Sequence, residues 1–280
     1  MIRIVMDTAG DLPEGWQESY DIDLIPINII HNDKSYLQGI DLGYDDFYKL
    51  VEESDQLPST SQPTPFQFKT FYEKIAKPGD TILSIHVTDK LSGTMASARQ
   101  AAEELKGTYN IIPYDSASGT VSMGLMVKEA RLMERAGKST KAILDRLNFI
   151  RDNMELVFTL DTLKFAQMSG RVKSLQAALV SMLNVKPIIE LNKGLIEMKE
   201  KVRSREKSID KLIDKLKKKF EDRQIIAAVV HARDREAGTT LMQKVINNFN
   251  CEEVAFAELS ISLAAHFGPG TLGVAAYPVK

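Results

Sequence analysis

The chain has 280 residues, 44% of them hydrophobic and 26% charged, with a formal net charge of -2. These values describe a globular chain with room for two domains, and without a Lys and Arg surplus they exclude a general nucleic-acid binder. A single cysteine, Cys251, allows no internal disulfide and fits a reducing compartment.

Residues 1–7 enter a β-branched strand pattern at once and lack the apolar core and cleavage site of a signal peptide. Further strands are expected over 24–30, 81–87, 110–114, 156–160, 186–191, 195–199, 224–230, 253–257 and 272–277. Amphipathic helices are expected among them over 45–53, 65–75, 93–105, 123–135, 235–249 and 260–267. Such alternation predicts an α/β fold with a parallel-leaning sheet and flanking helices. Asn192-Lys193-Gly194 reads as a hairpin turn, so a second, mixed-sheet α/β domain is expected. Length alone places the two domains at 1–155 and 156–280. The basic run from Lys215 to Lys219 lies among Asp214, Glu221 and Asp222, the pattern of a solvated helix face. No apolar stretch reaches membrane-spanning length, so a cytoplasmic protein without stable membrane insertion is expected.

Gly268-Pro269-Gly270-Thr271-Leu272-Gly273 matches the dinucleotide fingerprint G-x-G-x-x-G, but a helical pattern precedes it and a strand follows. The fingerprint needs the reverse order, which disfavours a nucleotide-binding reading. These glycines instead end a helix whose last turn carries His266. Four polar clusters fall beside strand ends and helix starts, at Asp7-Thr8, Thr60-Ser61-Gln62-Pro63, Leu91-Ser92-Gly93-Thr94 and Asp115-Ser116-Ala117-Ser118. Singly, each reads as a helix cap. Together they set hydroxyls and helix N-termini around one crevice, which suits a carboxylate or a phosphate.

Catalytic signatures fail. Lys90 stands where a nucleophile elbow around Ser92 needs glycine. Leu132 stands where a P-loop ending in Gly137-Lys138-Ser139-Thr140 needs its first glycine. His31, His86, His231 and His266 show no metal-ligand spacing, so neither a metal nor a cofactor is expected. Leu175, Ala178, Leu179, Met182 and Leu183 form an apolar face at helical spacing, read as core or as an acyl-pocket wall. Arg203 and Arg205 precede a helix and read as its solvated start.

Asp7-Thr8-Ala9-Gly10-Asp11-Leu12, Thr60-Ser61-Gln62-Pro63, Ser92-Gly93-Thr94, Asp115-Ser116, Ser169-Gly170-Arg171, Lys186-Pro187, Val202-Arg203 and His266-Phe267-Gly268-Pro269-Gly270 follow one another in the order typical of DegV family proteins. The chain resembles that family over essentially its whole length. The resemblance implies a two-domain α/β fold that binds one long-chain fatty acid without catalysis. It also implies the role of fatty-acid-binding subunit of a bacterial fatty acid kinase, presenting the carboxylate to a separate ATP-dependent kinase subunit. Head-group contacts are implied at Thr60 and Ser92, with His266 nearby; Ser61, Gly93 and Thr94 complete the expected ligand-binding set. Arg171 and Arg203 match cationic positions at the pocket mouth, facing the kinase. The head group is expected on the 1–155 side, with the acyl-chain pocket and the His266 loop in 156–280. The family often has Gly-Gly-Arg where this chain has Ser169-Gly170-Arg171, a difference that bears on loop flexibility. The alternative is an acyl hydrolase using Ser92, His266 and Asp115, which the missing elbow glycine disfavours.

Overall fold

The computed structural model describes residues 2–54, 56–172 and 185–280. The chain starts in β1 (Ile2–Asp7), passes α1 (Trp16–Ser19) and returns in β2 (Ile22–Ile25), parallel to β1. At Pro26, which has no N–H to give a ladder, it leaves that sheet. β3 (Asn28–His31), β4 (Lys34–Leu37) and, after α2 (Tyr44–Glu53), β5 (Ser59–Ser61) build a small antiparallel sheet in the order β4-β3-β5. The strand expected over 24–30 is therefore two strands in two sheets.

α3 (Pro65–Ile75), β6 (Thr81–His86), α4 (Thr94–Glu104) and β7 (Asn110–Asp115) complete a four-stranded parallel sheet in the order β2-β1-β6-β7. α5 (Val121–Arg135) and α6 (Thr140–Asn153) follow. The Ser139 hydroxyl accepts from Ala142 N at 3.2 Å, so the stretch that resembles a P-loop tail is the start of α6.

The second half runs through β8 (Glu155–Thr159), α7 (Lys164–Ser169), β9 (Lys186–Asn192), β10 (Leu195–Val202), α8 (Arg205–Phe220), β11 (Ile225–His231), α9 (Arg235–Asn248), β12 (Cys251–Glu258), α10 (Ile261–Phe267) and β13 (Leu272–Pro278). Its six strands are ordered β10-β9-β8-β13-β11-β12. Only β11 and β12 pair parallel; the other neighbours are antiparallel. This is the mixed sheet that the hairpin at Asn192-Lys193-Gly194 announces. The apolar face expected at Leu175 to Leu183 lies outside the described residues.

Alternation along β11 decides what each face of this sheet touches. Ile225, Ala227 and Val229 pack under Ile209, Leu212, Leu216 and Phe220 of α8 and Leu241 and Val245 of α9. Ile226, Ala228 and Val230 join the opposite cluster, which includes Val127 of α5 and Ile4 and Met6 of β1. α8 thus buries a helical-period stripe, while Lys217 and Lys218 on its other side stay exposed, as the charge run predicts. Among the described residues, no helix is long and apolar enough to cross a membrane.

Candidate functional site

β1 and β6 end side by side, and one buried carboxylate ties their exits together. Asp7 accepts from Ala9 N and from Val87 N, each at 2.9 Å, and meets His86 Nδ1 at 3.0 Å. His86 Nε2 lies 2.7 Å from the Ser84 hydroxyl, itself 2.8 Å from the Tyr72 hydroxyl. This Ser–His–Asp line is fully buried and closed to substrate. Its consequence is positional, since Ala9 and Val87 both line the cavity at the carboxyl ends of these strands.

The polar end of that cavity is built from distant segments. Thr64, not Thr60 or Ser61, caps α3, accepting from Gln67 N while the Gln67 side chain accepts from Thr64 N. Thr60 is thereby free for other work, and its hydroxyl lies 2.9 Å from His266 Nε2. Ser92, Gln62 and Arg171 border the same space. Gln62 crosses directly over Gly93, where a Cβ would approach its amide nitrogen to 2.8 Å, so any larger residue there would make the Gln62 side chain shift. Burial, and secondarily the Arg171 guanidinium, push His266 down to about 4, so the ring is neutral at neutral pH.

The remaining expected residues divide. Ser61 lies next to Thr60 on β5 and points to the other face of the strand, outside the cavity wall. Thr94 is fully buried and reaches the site through its neighbour, with its hydroxyl 2.9 Å from that of Ser92. Asp115 accepts from Ala117 N at 2.7 Å, a turn of its own, while His266 Nε2 faces Thr60. Ser92, His266 and Asp115 are thus not assembled as a hydrolase triad. Arg171 is exposed at the cavity rim. Arg203 is not with it: it follows the far end of β10 from Ile196, seven residues or roughly 23 Å away at about 3.3 Å per residue.

Behind the polar end lies a second cavity with an apolar wall. It is bounded by Leu156 and Phe158 of β8, Leu191 of β9, Val230 of β11 and the Ser118–Thr120 turn. The two cavities share Val87, Leu91, Ile196, Leu263 and Phe267, and each encloses about 60 Å³. That is several times the space one water needs. Both halves of the chain supply the walls, so the apolar pocket is not confined to 156–280. Sequence reasoning missed the apolar wall, including Leu156, Phe158, Leu191, Ile196, Val230 and Leu263; of these, Leu263 had a signal, since Leu263, His266 and Phe267 occupy positions i, i+3 and i+4 of α10 and so share one helix face.

The comparisons with known proteins agree with this architecture. The model of the uncharacterised DegV protein family matches residues 1–279. A DegV domain-containing protein of Listeria innocua is 32% identical over 275 residues, covering 98% of this chain and 97% of that protein. A DegV family protein from Thermus thermophilus, described by its fatty acid binding, superposes with a TM-score of 0.90 at 30% identity, covering 99% of each chain. DegV of Bacillus subtilis, described as a fatty acid binding protein, superposes with a TM-score of 0.86 at 27% identity, again over 99% of each chain. With superposition over nearly the whole chain and a family match over residues 1–279, the chain belongs to the DegV family.

Proposed function

We propose that this protein binds one long-chain fatty acid without catalysis, its tail in the apolar cavity and its carboxylate at Thr60, Ser92 and His266. The observation that carries the proposal is that the two cavities adjoin across five shared wall residues, one walled by carbon and the other ending in hydroxyls, an imidazole and the Arg171 guanidinium. About 14 methylenes at ~0.8 kcal/mol each contribute on the order of 11 kcal/mol gross, against an association cost of roughly 4–15 kcal/mol. The tail therefore supplies most of the affinity, and charge-assisted hydrogen bonds at the head fix its orientation. Native mass spectrometry of the protein purified from bacteria tests this directly: one co-purified fatty acid per chain supports it, and a ligand-free spectrum with no uptake of added fatty acid overturns it.

Ser92→Ala is expected to weaken fatty-acid binding by about tenfold or more, the value of one charge-assisted hydrogen bond. The same hydroxyl accepts from Thr94 N at 3.3 Å, so the lipid-free variant should lose no more than about 1 kcal/mol of stability. Titration calorimetry and a lipid-free melt separate the two effects. Substantial destabilisation with unchanged binding would return Ser92 to a capping role.

The same reading includes presentation of the carboxylate to a separate ATP-dependent fatty acid kinase subunit. Arg171, exposed at the rim, suits an incoming phosphoryl group through its planar fork of donors. Arg203, remote from the cavity, belongs to this reading only as a contact for the kinase subunit. Arg171→Ala should keep its lipid and lose phosphorylation in a reconstituted kinase assay. Loss of the lipid instead would make Arg171 a head-group ligand.

A further inference from the structure

The inner cavity does not end in the middle of the protein. On the side away from His266 it comes up against a surface groove bordered by Arg151, Glu155, Glu190 and Lys193, and the two spaces have Ser118 and Leu191 in common. One serine and one leucine thus separate the apolar interior from a charged surface. Ser118 is held from below. It is 4% exposed, its N–H donates to the Ser116 hydroxyl at 3.0 Å, and its own hydroxyl lies 2.6 Å from that of Ser122. Leu191 is half-buried and carries no such bonds through its side chain.

The backbone that carries Leu191 is well defined. β9 and β10 join through Lys193 and Gly194, with φ of 48° and 82°, the positive pair that a two-residue hairpin turn requires. A Cβ on Gly194 would overlap the Thr88 hydroxyl, so the tip of the hairpin rests on the loop after β6. The two-residue turn fixes the register, in which Leu191 and Ile196 are direct cross-strand partners. They share one face, and both line the apolar cavity.

We infer that Leu191 is the stop for the methyl end of the acyl chain and so determines the longest fatty acid this protein accepts. The inference rests on the fatty-acid reading above and adds a direction to it: the head lies at Thr60 and His266, and the tail points to the β9–β10 hairpin. A chain longer than the cavity meets Leu191. Beyond Leu191 it would have to lay methylenes among the charges of Arg151, Glu155, Glu190 and Lys193, where burial of apolar surface is not available.

The test offers delipidated protein an equimolar mixture of saturated fatty acids of graded length and reads the bound species by native mass spectrometry. Leu191→Ala deletes about three carbon atoms of side chain and should lengthen the preferred chain by about two methylenes. Ser118→Leu, which narrows the same end from the other wall, should shorten it, and it serves on its own if Leu191→Ala does not fold. If both variants bind fatty acid with the wild-type length distribution, Leu191 is not the stop, while the fatty-acid reading survives. If wild-type protein takes up none of the mixture, the fatty-acid reading itself fails, and the role of Leu191 falls with it.

Discussion

Leu263→Trp is expected to abolish retention of the fatty acid while leaving the fold in place. Leu263 sits on α10 in the wall that the two cavities share, and an indole there would take up space in both. About half of the methylenes would lose their apolar surroundings, on the order of 6 kcal/mol at ~0.8 kcal/mol each. Rearrangement of the walls recovers part of this, so a loss of at least about a hundredfold in affinity is expected. The added volume costs roughly 1–3 kcal/mol of stability, which the extensive cores on both sides of the mixed sheet can absorb. Protein purified from bacteria should give the ligand-free mass by native mass spectrometry and an unchanged far-ultraviolet circular dichroism spectrum. Normal lipid content in this variant would place the acyl chain elsewhere.

The second large effect is on stability against pH. His266 is pushed down to about 4 in the folded protein, chiefly by burial, whereas an unfolded His titrates near 6.5. Between these values the unfolded chain binds the extra proton, so stability falls as pH drops from about 6.5 to about 4, and no further below that. The full span is at most about 3 kcal/mol, reduced because His266 is only partly buried. Asp11 acts in the opposite sense. Burial raises it to about 7, so its contribution falls as pH rises from the ordinary carboxylate range toward 7. The difference between wild type and His266→Gln isolates the histidine, since Asp11 is common to both. Urea unfolding of the lipid-free proteins at pH 7 and pH 4.5 should show wild type losing about 2 kcal/mol more than the variant. Equal losses would mean that His266 is solvated in the folded state.

The pattern of residues by itself determined most of the elements. β6, β7, β13, α3 and α5 lie within two residues of where periodicity puts them, because each buries a face written into consecutive residues. The turn at Lys193 and Gly194 was legible for the same reason, and so was the end of α10 at Gly268. The order of the polar motifs identified the family. Those motifs also contained Thr60, Ser92, Arg171 and His266, all of which border one cavity.

Only the tertiary structure decided how these pieces meet. The apolar run over 24–30 looks the same on either side of Pro26. Pro26 breaks the ladder there, but which sheet each half joins is decided by its partners, since Leu24 pairs with Met6 while Ile29 pairs with Thr60. Thr60 and His266 are 206 residues apart, and no spacing rule connects them. Arg171 and Arg203 read alike as cations beside loops, and the direction of β10 alone carries Arg203 away from the cavity. The apolar cavity itself has no signature, since its walls come from strand ends in one half and a sheet face in the other. Periodicity is a property of neighbours in sequence, whereas burial, a lowered histidine pKa and a passage through the core are properties of neighbours in space.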